Sequence, residues 1–349
     1  MLNILQFGGD PSHVVIHGVS AGAGSVALHL TAYGGRNDNL FIGAIGESIF
    51  FPWQPPFSEL EFQFSRLVSA TPCINVTNPL PCLRDLDVSL LQRLDIATPF
   101  PNGTLKPLFY WTAAVDGDLI RDLPARMIAQ GKFIHVPIIF GTDTDDGSSF
   151  APNALSPLQI SQFFKSYYPT LSPSSLDAIN AHYPLNISIP WPGHAPYFGA
   201  AAAAYGESTF MCPSLSITSA YTRFSDPEKV WAYRYNGQGR NGSATILVTH
   251  TVELPAVFGT GMVRDRGTSF ESWNAPMVDT LMDYWVSFVR VLDPNVFRWG
   301  EAPVWGCFGD GGGENRIMFQ TNRTGMERVD RALLGRCEFW DGLVGEMET

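Results

Sequence analysis

The pentapeptide Gly18-Val19-Ser20-Ala21-Gly22 constrains this chain more than any other feature. It follows a β-branched run at residues 13–17 and opens residues 21–33, which read as a helix stopped by Gly34 and Gly35. A G-x-S-x-G between a strand and a helix forces a tight turn. The serine takes a strained backbone conformation there, and its oxygen is held above the sheet. Side chains two positions to either side would collide as strand and helix close together, which accounts for Gly18 and Gly22. Ala21 is small for the same reason, and its backbone N–H would point at an oxyanion forming at the helix start, where the dipole favours negative charge. An ordinary Gly-rich turn is the bland alternative, but the flanking strand and helix favour Ser20 as a nucleophile.

The rest of the chain alternates in the same way. Strands are expected at 41–49, 135–141 and 230–235, the last apolar on both faces as a central strand would be. Helices are expected at 59–70, 157–167, 174–182 and 197–224, and at 124–130 with Pro at its start and Gly131 at its end. An amphipathic helix fits 277–292, with Trp285 and Phe288 on its apolar side. This alternation predicts an α/β fold around a mostly parallel central sheet flanked by helices. At 349 residues the chain can bury a large core, and nothing in it has the composition of a linker. Residues 1–349 therefore read as a single domain with a helical excursion around 152–226.

Lys plus Arg number 22 against 33 acids, a net charge of −11. That balance supplies no basic footprint for nucleic acid and would be repelled by anionic membrane surfaces. No stretch approaches the roughly eighteen uncharged apolar residues of a transmembrane helix. The opening residues also lack the basic and apolar regions of a signal peptide. The five cysteines, Cys73, Cys82, Cys212, Cys307 and Cys337, form no CxxC pair or zinc-spaced cluster, so no metal is expected. Cys73 and Cys82 bracket a Pro/Asn-rich stretch that reads either as a loop closed by a disulfide or as two separate buried thiols. Sequons stand at Asn75, Asn102, Asn186, Asn241 and Asn322. Together with the Cys73/Cys82 loop they favour a secreted, oxidising setting.

A serine nucleophile on such a sheet is followed along the chain by an acid and then a histidine. The strand expected at 135–141 runs into Asp143, Asp145 and Asp146, and spacing alone does not choose among them. Each also fits a solvated turn aspartate. Downstream stand His182, in a helical pattern, His194, in a Pro/Trp/Gly loop, and His250, after an apolar stretch at a loop-to-helix junction. The first two read as structural or surface residues, whereas His250 could swing its ring over Ser20. His13, His17 and His29 flank the elbow and read as packing there.

Several blocks, in order, resemble type-B carboxylesterases and lipases, the family that includes cholinesterases. They are FGGDPSHVVIHGVSAGAGSVALHL, AVDGDLIRDLPARM, VPIIFGTDTDDGSSF, HTVELPAVFG and RCEFWDGL, and AIGESIFFPWQ looks particularly like fungal members. The resemblance implies an α/β-hydrolase fold, with Ser20 as nucleophile, Asp146 as acid, His250 as base and Ala21 as an oxyanion donor. It implies a disulfide between Cys73 and Cys82 and a second between Cys212 and Cys337, leaving Cys307 free and buried. Loop-closure arithmetic gives such bridges about 3 and about 5 kcal/mol. The implied chemistry is cofactor-free cleavage of a small-molecule or lipid ester through an acyl-enzyme. An inactive or weakly active relative used for binding or adhesion is the alternative. This sequence has Val19 where the family has Glu, and Asp146 where it has Glu. The family's early strands and Gly-rich oxyanion loop, which precede the elbow, have no counterpart here, so the chain resembles the C-terminal two-thirds of such an enzyme.

Overall fold

The computed structural model describes residues 3–101, 103–188, 191–237, 248–261 and 268–349. Its frame is a six-stranded sheet of β1 (Val15–Val19), β2 (Gly43–Glu47), β3 (Ile138–Asp143), β4 (Val230–Tyr235), β5 (Asn315–Phe319) and β6 (Gly325–Arg328), in that spatial order. β1 to β5 pair in parallel, and β5 turns into β6 as an antiparallel hairpin. β2 and β3 are buried along their whole length, which is why their sequences read as apolar runs rather than alternations. β1 lies at the sheet edge and is only half-buried.

Helices cover both faces. They are α1 (Ala21–Gly35), α2 (Glu61–Ser69), α3 (Pro79–Arg84), α4 (Val88–Leu94), α5 (Pro124–Ala129), α6 (Pro157–Tyr167), α7 (Pro173–His182), α8 (Phe198–Gly206), α9 (Cys212–Phe224), α10 (Leu254–Phe258), α11 (Ala275–Val291) and α12 (Arg331–Met347). One core layer joins Val26 and Leu30 of α1, Phe140 of β3, Phe164 of α6, Tyr221 of α9 and Trp340 of α12. The opposite layer packs Ile45, Ile139 and Tyr233 of the sheet against α11. α11 turns Met277, Leu281, Tyr284, Trp285 and Phe288 inward, a helical stripe at spacings of four, three, one and three. Burying each such side chain stabilises the fold by roughly 1.5–3 kcal/mol before chain entropy is counted.

Several boundaries differ from the sequence reading. β1 starts at Val15, not at residue 13, and runs to Val19, so Ser20 follows it directly. His13 lies outside the strand, where its Nε2 donates to the Val289 carbonyl at 2.7 Å. β3 begins three residues later than expected and ends on Asp143, which is therefore a buried strand residue and not part of a loop. Helical geometry in α1 fails from Ala32, with Tyr33 at φ 52°, ahead of the two glycines. The helix expected across 197–224 is interrupted by a π-helical turn, Glu207–Met211. Glu207 accepts a bidentate pair of hydrogen bonds from Arg336 of α12, both at 2.7 Å, and one from Tyr183. That network ties the wider turn to the C-terminal helix. The sequence reading did not anticipate β5, β6 or α12 as elements.

Both disulfides form, Cys73–Cys82 and Cys212–Cys337, the second linking α9 to α12. Cys307 is free but half-buried rather than buried, and its thiol lies 3.4 Å from the Glu228 carbonyl. Asn75, Asn186 and Asn322 are exposed, while Asn102 and Asn241 lie outside the described residues. Among the described residues no helix is long and apolar enough to cross a membrane.

Candidate active site

Ser20 sits between β1 and α1 with φ 57° and ψ −121°, a conformation that L-residues hold only under constraint. The constraint is visible on both sides. Its N–H donates to the Glu47 carbonyl of β2 at 2.8 Å, and its carbonyl accepts from Gly24 at 3.0 Å. A Cβ on Gly18 would stand 2.3 Å from the Gly22 backbone, so strand and helix can approach only across a glycine. The reciprocal argument for Gly22 fails, because a Cβ there would meet nothing within 4 Å. The close approach is one-sided: the backbone of residue 22 fills the space where a side chain at 18 would lie. Gly18→Ala is accordingly expected to destabilise the fold by about 3 kcal/mol. Gly22→Ala should leave the urea midpoint close to wild type, and parallel urea titrations of the two variants check both expectations. Ala21, the first helical residue, is exposed, and its N–H has no intrahelical partner.

The second half of the site comes from two loops pinned together. Asp145 forms an isolated parallel bridge with Thr249, and its N–H donates to the Val248 carbonyl at 2.9 Å. This brings His250 onto Asp146, which opens a 3₁₀ turn, Asp146–Ser149, directly after β3. His250 Nδ1 lies 2.6 Å from Asp146 Oδ1, and the carboxyl is wholly buried. Asp146 Oδ2 accepts from Ser48 Oγ at 2.9 Å and from the Asp143 N–H at 3.0 Å. Burial pushes the Asp146 carboxyl above its ordinary range, while the bonds from His250, Ser48 and Asp143 oppose that rise. The imidazole lies between Phe150 and Phe210, with centroids 5.1 and 4.5 Å away. His250 Nε2 is buried and makes no hydrogen bond, Ser20 Oγ included.

Ser48 is the hinge that relates the two halves. It follows Glu47, whose carbonyl holds Ser20, and its own side chain holds Asp146. It takes φ 49°, which aims the hydroxyl back toward β3. The sequence reading missed it, since nothing local distinguishes one serine in a GES triplet. Also missed were the buried Glu47 and Glu253 and the aromatic wall of Phe50, Phe109, Phe150 and Phe210.

The remaining histidines take other places. His17 Nε2 meets Glu47 Oε1 at 2.8 Å, His182 stacks on Phe339, and His194 stacks on Phe198. His29 is exposed on α1 and does not pack at the elbow as expected, because α1 turns that position outward. Of the three candidate acids, Asp146 is the one on His250; Asp143 lies behind it, and Asp145 Oδ2 accepts from the Val248 N–H at 3.2 Å.

Comparison with known proteins gives a consistent picture. The family model described as the carboxylesterase family matches residues 2–340. Lipase 2 of Geotrichum candidum is 28% identical over 317 residues, covering 84% of this chain and 53% of that protein. A secreted lipase 1 of Botryotinia fuckeliana is 27% identical, covering 84% of this chain and 52% of that protein. The crystal structure of Aspergillus niger EstA superposes with a TM-score of 0.94 at 45% identity, covering 99% of this chain and 67% of EstA. The chain thus spans about half the length of these curated relatives.

Proposed function

This chain belongs to the carboxylesterase family, with the α/β-hydrolase fold, and on that premise we propose that it cleaves carboxylic esters through a covalent acyl-serine intermediate. The observation that carries the proposal is the pairing of a strained Ser20 with a buried Asp146–His250 couple joined to it through Glu47 and Ser48. Ser20 Oγ attacks the ester carbonyl while His250 Nε2 takes its proton. The negative charge that develops on the carbonyl oxygen is held by the Ala21 N–H and the α1 terminus. Asp146 keeps the His250 proton on Nδ1 and steadies the imidazolium. Collapse expels the alcohol, which leaves with the proton from Nε2. Water, deprotonated in turn by His250, then releases the acid and restores Ser20.

The wall of Phe50, Phe109, Phe150 and Phe210 makes the His250 side of the site apolar, which suits an ester with a hydrocarbon acyl or alcohol group. Residues 1–349 are read as belonging to one domain, with the helical excursion at 152–226 carrying Phe210. Incubating the folded protein with a fluorophosphonate probe tests the reading: a phosphonyl adduct mapped to Ser20 supports it, and an unlabelled folded protein overturns it.

The setting proposed is extracellular, in line with the disulfides, and the sequons are proposed as glycan carriers. Secretion from a eukaryotic host is expected to yield a form that gains mobility on deglycosylation, and Asn75→Gln should remove one step of that shift. A secreted form that endoglycosidase leaves unchanged would remove the glycoprotein reading.

A further inference from the structure

Behind the Asp146–His250 couple lies a second set of acids that the proposed chemistry does not use. Glu47 ends β2, Asp143 ends β3, and Glu253 stands at the N-terminal end of α10, three residues past His250; all three are fully buried. Glu47 is held at one oxygen, because its Oε1 accepts from His17 Nε2 at 2.8 Å and from Trp285 Nε1 at 2.7 Å, while its Oε2 has no partner. Asp143 and Glu253 are held at neither oxygen. Taken as carboxylates, none of their four oxygens finds a donor of full hydrogen-bond geometry, although the Thr251 N–H approaches Asp143 and the Glu253 N–H approaches its own carboxyl. Yet the two carboxyls lie within hydrogen-bonding reach of each other. Two acceptors cannot bond unless one holds a proton, and two bare charges buried side by side would cost several kcal/mol. The charged groups pressing on the pair, Glu47 and Asp146, are themselves acids, so a proton is what relieves the repulsion.

We propose that Asp143 and Glu253 share one proton and act as a positioning pair, clamping the His250 loop to the end of β3 so that the imidazole stays seated on Asp146. The pair deepens the ester-hydrolase reading and rests on it for its catalytic meaning. Its placement supports the role: Asp143 also gives its N–H to Asp146, and Glu253 closes the segment that begins at His250. The surroundings keep the proton in place. Facing the pair are Glu47 from β2, Asp146 from the 3₁₀ turn, and Tyr233 and Tyr235 from β4. His17, His250 and Trp285 are already committed to Glu47 and Asp146. Burial first, then the neighbouring Glu47 charge, push Glu253 up to about 8, and burial drives Asp143 upward as well.

The consequence is an alkaline limit. As pH rises past the pair's upper ionisation the clamp becomes two repelling charges beside His250. Because an acid with a raised folded pKa binds its proton more tightly folded than unfolded, stability should also fall with rising pH from the ordinary carboxyl range up to about 8.

Glu253→Gln keeps a donor toward Asp143 without a titrating proton, whereas Glu253→Ala removes the clamp. Expected for the alanine variant is a kcat lower by on the order of 10- to 100-fold with KM little changed. The glutamine variant should recover most of that loss at neutral pH and lose the alkaline decline of wild type. An infrared difference spectrum, wild type minus Glu253→Gln at neutral pH, should show the carbonyl stretch of a buried protonated carboxyl, a readout that needs no turnover. Wild-type kcat in Glu253→Ala, an unchanged alkaline limb in Glu253→Gln, or no such band overturns the shared proton. Absence of fluorophosphonate labelling at Ser20 in wild type would instead strike the hydrolase reading, and the infrared band would still judge the pair.

Discussion

Ser20→Ala is expected to lower turnover of an activated ester by on the order of 10⁴- to 10⁶-fold, with the circular dichroism spectrum unchanged. The fold should tolerate the change, because the elbow is held by backbone contacts: Ser20 N–H to Glu47 and Ser20 C=O to Gly24 survive in alanine. Alanine at φ 57° carries no more steric burden than serine, since both have one Cβ. What disappears is the hydroxyl oxygen proposed to form the acyl bond. The Ala21 N–H and the apolar wall remain, so residual catalysis above water should persist, and KM should move little. The decisive comparison is a pre-steady-state burst of alcohol release, present in wild type and absent in Ser20→Ala. A variant that keeps wild-type turnover would place the nucleophile elsewhere and dissolve the role given to the elbow.

How much of this was legible beforehand depended on how local each cause was. The elbow is contiguous in sequence, so the strand, the serine and the helix could be read together. β4 was legible to the residue because VWAYRY is apolar on both faces, as a strand between two parallel neighbours must be. β3 was misplaced at both ends for the opposite reason: Thr142 and Asp143 are polar yet fully paired with β4, and a buried aspartate at a strand end reads as a loop residue. β6 is short and polar, alternating half-buried and exposed, and exists because β5 offers it a partner. α12 carries Gly335, Gly342 and Gly345, which weaken any helical signal, while its docking rests on Cys337 and Trp340.

The same rule divides the site. Ser20 announced itself and the loop-to-helix junction favoured His250 among three histidines, whereas Asp146 came only through resemblance, as one among three acids. Ser48, Glu47 and Asp143 meet because β2 and β3 are adjacent in the sheet, and Glu253 joins them because the Asp145–Thr249 bridge carries the His250 segment to the end of β3. No spacing in the chain encodes that adjacency. The error at Gly22 came from assuming that a close approach must exclude side chains on both partners, when one backbone was already filling the gap.

Asp146→Asn should be nearly as damaging as loss of the nucleophile, lowering kcat by on the order of 10⁴-fold while leaving the protein folded. The reason lies in which face of the carboxylate is already engaged. Oδ2 accepts from the Asp143 backbone N–H and from Ser48 Oγ, and the backbone donor cannot turn away. An asparagine must therefore keep its amide oxygen on that side and present its NH₂ to His250. Nδ1 would then have to accept, and the ring proton would move to Nε2, the atom that has to receive the Ser20 proton. Steric fit is unchanged and a buried charge is removed, so thermal stability should hold or rise. The loss should fall on kcat with KM nearly constant, and labelling by fluorophosphonate should slow in parallel. A kcat within tenfold of wild type in a well-folded Asp146→Asn protein would show that this carboxylate does not set the tautomer. Because Ser48→Ala leaves the Asp143 N–H in place, it should cost far less than Asp146→Asn, and equal losses in the two variants would assign the orientation to the hydroxyl instead.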